Sequence, residues 1–179
     1  RTICLECPKG QAQSQVQKQS CTNCTIGRYS DQLGLVRCFK CIPGQSQMES
    51  GQTSCSKCHI GKHQDIAASE SCKQCKAGYF SDDLGLVGCL KCSPGSRENN
   101  TGSTSCNQCS RGTFIVEPAS PKPLCSSCPS GWSNSNDGGT NCVKNPVGSY
   151  MEGVDFKLCP QGSSCKGGSK DKVKCVPGF

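Results

Sequence analysis

The sequence predicts a small disulfide-rich fold: an elongated tandem array of 17-residue units with short β-hairpins and turns and essentially no helix. Three observations carry that expectation. Twenty of the 179 residues are cysteine, a density found in disulfide scaffolds rather than in ordinary soluble domains. The hydrophobic fraction of 33% counts every one of those cysteines, so the remaining apolar side chains are too few to build the core that a chain of this length normally buries. The cysteines also recur at a fixed step, the mark of an architecture in which each unit contacts its neighbours.

Cys4, Cys21, Cys38, Cys55, Cys72, Cys89 and Cys106 follow one another at 17-residue intervals. Each opens a C-x-x-C pair, closed by Cys7, Cys24, Cys41, Cys58, Cys75, Cys92 and Cys109. An eighth pair, Cys125 and Cys128, follows a unit lengthened by two residues within Val116-Glu117-Pro118-Ala119-Ser120-Pro121-Lys122-Pro123. The three prolines there favour an extended surface excursion. Beyond Cys142 the pattern degrades, because Asn145 stands where the next pair should close and Cys159, Cys165 and Cys175 follow a different spacing. Residues 1-145 therefore read as the tandem array, and 146-179 as a divergent cysteine-rich repeat with a basic tail. A longer period is superimposed: residues 24-44 realign with 75-95 at a shift of three units, including the Leu-Gly-Leu-Val run. The array has grown by copying three units together, giving superrepeats 24-74 and 75-127.

Within each unit, a glycine three residues after the cysteine (Gly10, Gly27, Gly44, Gly61, Gly78, Gly95, Gly112, Gly131) suits a tight turn with positive φ. Runs such as Leu33-Gly34-Leu35-Val36 are too brief for an amphipathic helix, and no segment sustains a 3.6-residue period. A string of small hairpins is expected. At about 10 Å per unit, a sheet-stacking distance, the array would extend roughly 100 Å.

Cys-x-x-Gly, an aromatic, a Gly-x-x-x-Cys turn and C-x-x-C, repeated over residues 4-145, resemble the cysteine-rich repeats of ephrin receptors and the first half-module of tumour necrosis factor receptors. Cys159-Pro160-Gln161-Gly162-Ser163-Ser164-Cys165 is similar to a variant found beside such repeats. The resemblance implies an extracellular spacer or binding surface and no particular ligand.

Two symmetries constrain the cysteine pairing. A crossed pattern, Cys4 to Cys21 and Cys7 to Cys24, has a period of two units, so Cys24 would pair backward while its copy Cys75 pairs forward. The local pattern is unchanged by any 17-residue shift and is favoured: Cys7-Cys21, Cys24-Cys38, Cys41-Cys55, Cys58-Cys72, Cys75-Cys89, Cys92-Cys106, Cys109-Cys125 and Cys128-Cys142. Pairing over 20 residues, as in Cys4 to Cys24, respects the same symmetry and stays open. Each 15-residue loop so closed stabilises by about 3 kcal/mol in the loop-entropy account. The local scheme leaves Cys4 and an odd number of C-terminal cysteines unassigned, which points to a natural protein that continues in both directions.

Zinc is the main competitor, since C-x2-C-x13-C-x2-C approaches zinc-ribbon spacing. Ribbon knuckles place glycine directly after the second cysteine, where this chain has Pro8, Thr25, Ile42, His59, Lys76, Ser93, Ser110 and Pro129. Four-cysteine sites also meet the parity objection to crossing. A redox reading of C-x-x-C needs one exposed pair at a helix N-terminus rather than eight equivalent copies. His59 and His63 have metal-ligand spacing only on a helix and are expected as solvated loop residues. Asp31, Asp82 and Asp83 lack a calcium-loop pattern and are expected as salt-bridged turn residues. No metal and no cofactor are expected.

Tyr29, Tyr79, Phe80, Phe114, Trp132 and Tyr150 recur four or five residues into their units, where each ring is expected to cover a neighbouring disulfide. Lys166, Lys170, Lys172 and Lys174 suit a solvated terminus, with a sulfated polysaccharide as the sharper alternative. Asn99-Asn100-Thr101 is a glycosylation sequon in a turn. Asn23-Cys24-Thr25 also qualifies, but a C-x-x-C crowds it. Ser120-Pro121 and its neighbours suit O-linked sugar.

Catalytic constellations are missing from the sequence: it has no Ser/His/Asp set, no H-E-x-x-H and no phosphate loop. The net charge of +7 is modest, too dilute for nucleic-acid binding. No run of 18 apolar residues spans a membrane. The expected function is non-enzymatic: a structural segment of an extracellular glycoprotein rod, secreted or at the cell surface, forming a stalk, coat or filament subunit. The alternative is a ligand-binding receptor ectodomain or surface antigen. Expected partners are copies of the chain itself or other extracellular matrix and surface proteins, with Leu35 and Leu86, from the two most apolar turns, as assembly residues.

Overall fold

A computed structural model describes residues 6–15, 18, 20–118, 124–167 and 172–174. Among these residues there is no helix, and so none long and apolar enough to cross a membrane. Their strands form ten two-stranded sheets.

Each repeat is a loop that opens at the second cysteine of one C-x-x-C and closes at the first cysteine of the next. The first loop begins with a turn: the Gln11 N–H donates to the Pro8 carbonyl at 3.1 Å, and Gly10 takes a φ of +83°. The same turn recurs at Ile42-Pro43-Gly44-Gln45 and Ser93-Pro94-Gly95-Ser96. There, proline at the second position and positive φ at the third define type II. Beyond the turn, Gln11–Ala12 pairs antiparallel with Thr22–Asn23, and Arg28–Tyr29, Gln45–Ser46 and Lys62–His63 pair in like register with Phe39–Lys40, Ser56–Lys57 and Lys73–Gln74. The returning strand of each hairpin is therefore the x-x inside a C-x-x-C. It is confined to two residues because half-cystines flank it, and the second of these bonds back to the turn, as in Cys24 N–H to the Gly10 carbonyl at 2.8 Å.

Disulfides close the loops at Cys7–Cys21, Cys24–Cys38, Cys41–Cys55, Cys58–Cys72, Cys75–Cys89, Cys92–Cys106, Cys109–Cys125 and Cys128–Cys142. The loop-opening half-cystines form the core, with Cys41 and Cys75 at 0% exposure. Cys4 and Cys175 lie outside the described residues.

The chain divides into two compact units: Arg1–Lys76 with Phe80–Leu90 and Thr101–Thr104, and Ala77–Tyr79 with Lys91–Asn100 and Ser105–Phe179. In the first, each loop is hydrogen-bonded to the next by a repeated set of backbone bonds. Gly10 N–H donates to the Ser30 carbonyl at 2.8 Å, Gln13 N–H to Leu35 at 3.1 Å, and, in the return direction, Gly34 N–H to Cys7 at 2.8 Å. One loop on, Gly27, Ser30 and Gly51 repeat these bonds to Gln47, Gln52 and Cys24. The second unit carries the same set in Gly112 to Asn134, Ile115 to Gly139 and Gly138 to Cys109. The lengthened Cys109–Cys125 loop thus keeps all of these bonds to the loop that follows it.

The turn glycine meets a second demand. A β-carbon on Gly44 would overlap the Gly85 carbonyl oxygen, and one on Gly95 would overlap that of Gly138, so these loops also touch the loop after next within their compact unit. The residue that supplies this carbonyl is itself left-handed and is usually glycine. Ala68 is the exception, at φ 58°, with its N–H still bonded to the Cys41 carbonyl at 2.8 Å.

At the ninth loop, Asn145 takes the place of a loop-opening cysteine. It is 2% exposed, its N–H bonds to the Gly131 carbonyl at 2.9 Å as a cysteine's would, and its side-chain Nδ2 donates to the Ser149 carbonyl at 3.1 Å. Cys159, freed of that partner, pairs with Cys165 over six residues. Without a disulfide across its base, this loop lengthens its hairpin to four-residue strands, Ser149–Glu152 with Asp155–Leu158.

The left-handed alanine yields a prediction. Ala68→Gly relieves about 1–2 kcal/mol of backbone strain against a smaller unfolded-state cost, and should raise stability by about 0.5–1 kcal/mol in chemical denaturation of the oxidised protein. Gly44→Ala meets both the φ and the Gly85 carbonyl, and should lower it by about 2–4 kcal/mol.

Candidate functional site

Three places bring chemistry-bearing side chains together: the inward-facing residue that follows the hairpin strand, the face of two of the disulfides, and the exposed apolar turns. The first is the sixth residue after the loop-opening cysteine, whose carbonyl accepts the ladder bond. In three loops it is glutamine. Gln47 accepts the Glu49 N–H at 3.0 Å on Oε1 and donates through Nε2 to the Ser54 carbonyl at 2.8 Å. Gln64, 3% exposed, does the same with Ile66 N–H at 3.0 Å and the Ser71 carbonyl at 2.6 Å. Each amide thus braces the top of its loop against the residue before the closing cysteine. In the two Leu-Gly-Leu-Val loops the position holds Ser30 and Ser81, both 0% exposed, which bond the Gln32 and Asp83 carbonyls at 3.1 and 3.2 Å. Glu98 accepts from Asn100 N–H and Asn107 Nδ2 at 2.8 and 3.2 Å. These braces escaped the sequence reading, although Gln47 and Gln64 stand one period apart.

The second place is one residue earlier. Ser46 Oγ lies 3.4 Å from Cys72 Sγ, and His63 Nδ1 lies 3.1 Å from Cys89 Sγ, in each case the disulfide of the following loop. A half-cystine sulfur carries no proton, so the hydroxyl and the imidazole N–H are the donors. His63 is therefore half-buried in the strand Lys62–His63 and not a solvated loop residue; its place in the hairpin turns it toward the next disulfide. His59, in the turn, is exposed. Next to His63, Asp65 pairs with Lys73 at 2.8 Å. The Lys73 hydrogen bond, with a smaller contribution from His63, holds the exposed Asp65 carboxyl below its usual range. His63, Cys75 and Cys89 place three donor atoms within 4.8 Å of one another, but the two sulfurs are spent on their disulfide.

Tyr29 occupies the Ser46 position of its own loop, and its ring meets Phe39 across the hairpin at 5.7 Å between centroids. Trp132 stands 40% exposed beside Arg111, Met151 and Val154 in a cleft of about 260 Å³, below the roughly 300–1,000 Å³ of small-molecule pockets. Arg111 pairs there with Asp155.

The exposed apolar turns are those of the Leu-Gly-Leu-Val copies. Leu33 and Val36 are 59% and 60% exposed, and Leu84 and Val87 are 56% and 50% exposed. Leu35 and Leu86 are half-buried, and their carbonyls accept the Gln13 and Gln64 N–H groups. Asp31, Asp82 and Asp83 are exposed and take no part in the ion pairs among the described residues, Lys73–Asp65, Arg111–Asp155 and Lys157–Glu152. The expectation of salt-bridged aspartates is corrected by that: Ser30, before Asp31, and Ser81, before Asp82 and Asp83, hold the turns through the backbone instead.

Asn99 is exposed, with Thr101 Oγ1 3.1 Å from Gln74 Oε1. Asn23 is engaged with Gln11 at 3.0 Å and lies against Gly51. In the tail, Lys172 Nζ lies 5.1 Å above the Tyr150 ring, while Lys166 and Lys174 are exposed. Lys170 and Ser120-Pro121 fall outside the described residues.

Removing one brace should be costly because the buried Gln64 amide makes two hydrogen bonds at once. Gln64→Ala should lower stability by about 1–3 kcal/mol, two lost bonds at about 0.5–1.5 kcal/mol each, while Gln64→Ser, copying Ser30 and Ser81, should recover part of the loss in the same denaturation assay.

The family model for "Tyrosine-protein kinase ephrin type A/B receptor-like" sequences matches residues 27–75, 61–109 and 78–123, overlapping windows that together cover more than half of the chain. No curated protein matches it. The three matches step along the same loops that the disulfides close and the ladder links, and disulfides in such density persist in oxidising compartments. The chain belongs to the ephrin type A/B receptor-like family, as an extracellular or cell-surface array of cysteine-rich repeats.

Proposed function

We propose that the chain is a structural segment of an extracellular glycoprotein rod, a stalk, coat or filament subunit, without enzymatic activity. The observation that carries this reading is the ladder: within each compact unit the same three backbone bonds join loop to loop, so the arrangement that serves one junction serves all, as a spacer requires. Backbone bonds carry no side-chain specificity, which suits a scaffold that tolerates varied surfaces. Its partners are copies of itself or other extracellular surface and matrix proteins, and Asn99 carries the glycan.

A second reading, a ligand-binding receptor ectodomain or surface antigen, is favoured by one observation. Leu33, Val36, Phe39 and Ile42 are all at least 43% exposed within a single short stretch of chain. Exposed apolar groups in such a cluster suit a protein contact, and that contact is self-association in the first reading and a ligand in the second.

Light scattering and electron microscopy of the glycosylated protein at high concentration separate the two. Self-association that is abolished by Leu33→Asp with Leu84→Asp, disulfides remaining intact, is the expected result. A monomer at all concentrations would favour the ectodomain. In parallel, Asn99→Gln should remove one N-linked glycan by mass, whereas Asn23→Gln should remove none.

A further inference from the structure

The eight loop-closing disulfides of the described residues are alike in connectivity but not in surroundings. Cys89 Sγ receives a hydrogen bond from His63 Nδ1 at 3.1 Å, and Cys75 Sγ lies within 4.8 Å of the same ligand atoms. One loop earlier the equivalent donor is the neutral hydroxyl of Ser46, on Cys72. Cys75 is 0% exposed, whereas Cys89 is half-buried, so a solvent-borne nucleophile reaches the bond from the Cys89 side.

We propose that Cys75–Cys89 is a thiol-exchange site, the place in this part of the array where a small extracellular thiol reacts, with His63 as its positioning and charge-stabilising residue. An external thiolate attacks Cys89 Sγ; the Cys75–Cys89 bond breaks as a mixed disulfide forms on Cys89, and Cys75 leaves as a thiolate. The imidazolium within 5 Å stabilises that leaving thiolate, and leaving-group stability controls the rate of exchange. Attack by a second thiol on the mixed disulfide releases the external disulfide and leaves Cys75 and Cys89 as thiols, two thiols being oxidised for the one disulfide reduced. Exchange would be faster here than at Cys58–Cys72, where the neutral Ser46 hydroxyl on Cys72 takes the place of the imidazolium.

The charged groups around the imidazole do not cancel it. Lys62 on its own strand is exposed, Asp65 and Lys73 pair with each other at 2.8 Å, and Leu86-Val87-Gly88-Cys89 packed against it carries no charge. Opening this one bond frees a single loop while the Cys58–Cys72 and Cys92–Cys106 loops on either side stay closed, so the product is a locally loosened array.

The experiment uses the intact oxidised chain, limiting glutathione at mildly acidic pH where imidazoles carry protons, timed alkylation and peptide mapping. The neighbouring disulfides serve as internal references, which removes the ionisation of the reagent from the comparison. Label at Cys75 and Cys89 should appear roughly 3–10-fold faster than at Cys58 and Cys72. His63→Ser, which installs the side chain already present at Ser46, should equalise the two rates, and Ser46→His should accelerate the Cys58–Cys72 bond by a similar factor. Equal rates in the unmodified protein, or an unchanged order in both variants, would overturn the proposal. Because Ser46→His tests the same effect in a different loop, a folding failure of His63→Ser leaves the outcome decided by the other variant.

Discussion

Backbone contact through the glycine of each opening turn is the constraint on which the rest of the array depends. At Gly10, Gly44, Gly61 and Gly95 the space a β-carbon would need is filled by a carbonyl oxygen from the loop after next. Disulfides spanning 14 residues close individual loops, yet a closed loop has no inherent way to orient its neighbour. Orientation comes from the ladder, and the ladder requires that no side chain stand between the strands of backbone. This is why the period is strict where the chain is regular: Gly10, Gly27, Gly44 and Gly61 each meet a carbonyl 41 residues on.

With orientation assigned to the backbone, the side chains are released for other work. The residue after the hairpin strand turns inward as glutamine, serine, glutamate or asparagine in every disulfide-closed loop but one, where it is the buried Ile115, and satisfies groups that a turn of this length leaves open. A chain with so little apolar side chain accordingly builds its interior from half-cystines and amides, each hydrogen-bonded, and no buried polar side-chain atom among the described residues lacks a partner. What remains, the returning strand between the cysteines, is exposed in every two-residue hairpin and free to vary. Phe39, Lys57 and Lys73 stand at such places, so adjoining loops present different chemistry on one scaffold.

The ninth loop shows how the system tolerates the loss of a cross-link. Asn145 keeps the buried place and the backbone bond of a cysteine, and its amide bonds locally to the Ser149 carbonyl instead of crossing the base of the loop. The hairpin lengthens, and Cys159 turns to a local partner. Substituting one residue type thereby changes both the connectivity and the strand length downstream.

The 17-residue step of the cysteines and the glycine three residues into each loop sufficed, by themselves, for the fold class, the hairpins and the positive-φ turns, because these properties are local: a loop of fixed length with a type II turn has few ways to close. The 51-residue copy favoured local pairing over crossing by symmetry, and the gap at Asn145 was visible as a missing cysteine. The inter-loop ladder, the Gln64 and Ser81 braces and the contact of His63 with Cys89 were decided only in three dimensions. The ladder and the His63 contact join residues one or two loops apart, and residue types at 20- to 41-residue separations bear no mark of which atoms will meet, while the braces depend on which side chain the hairpin turns inward. Leu35 and Leu86 illustrate the limit: the apolar runs were legible, but which of their side chains face solvent depends on the carbonyls that the preceding loop requires.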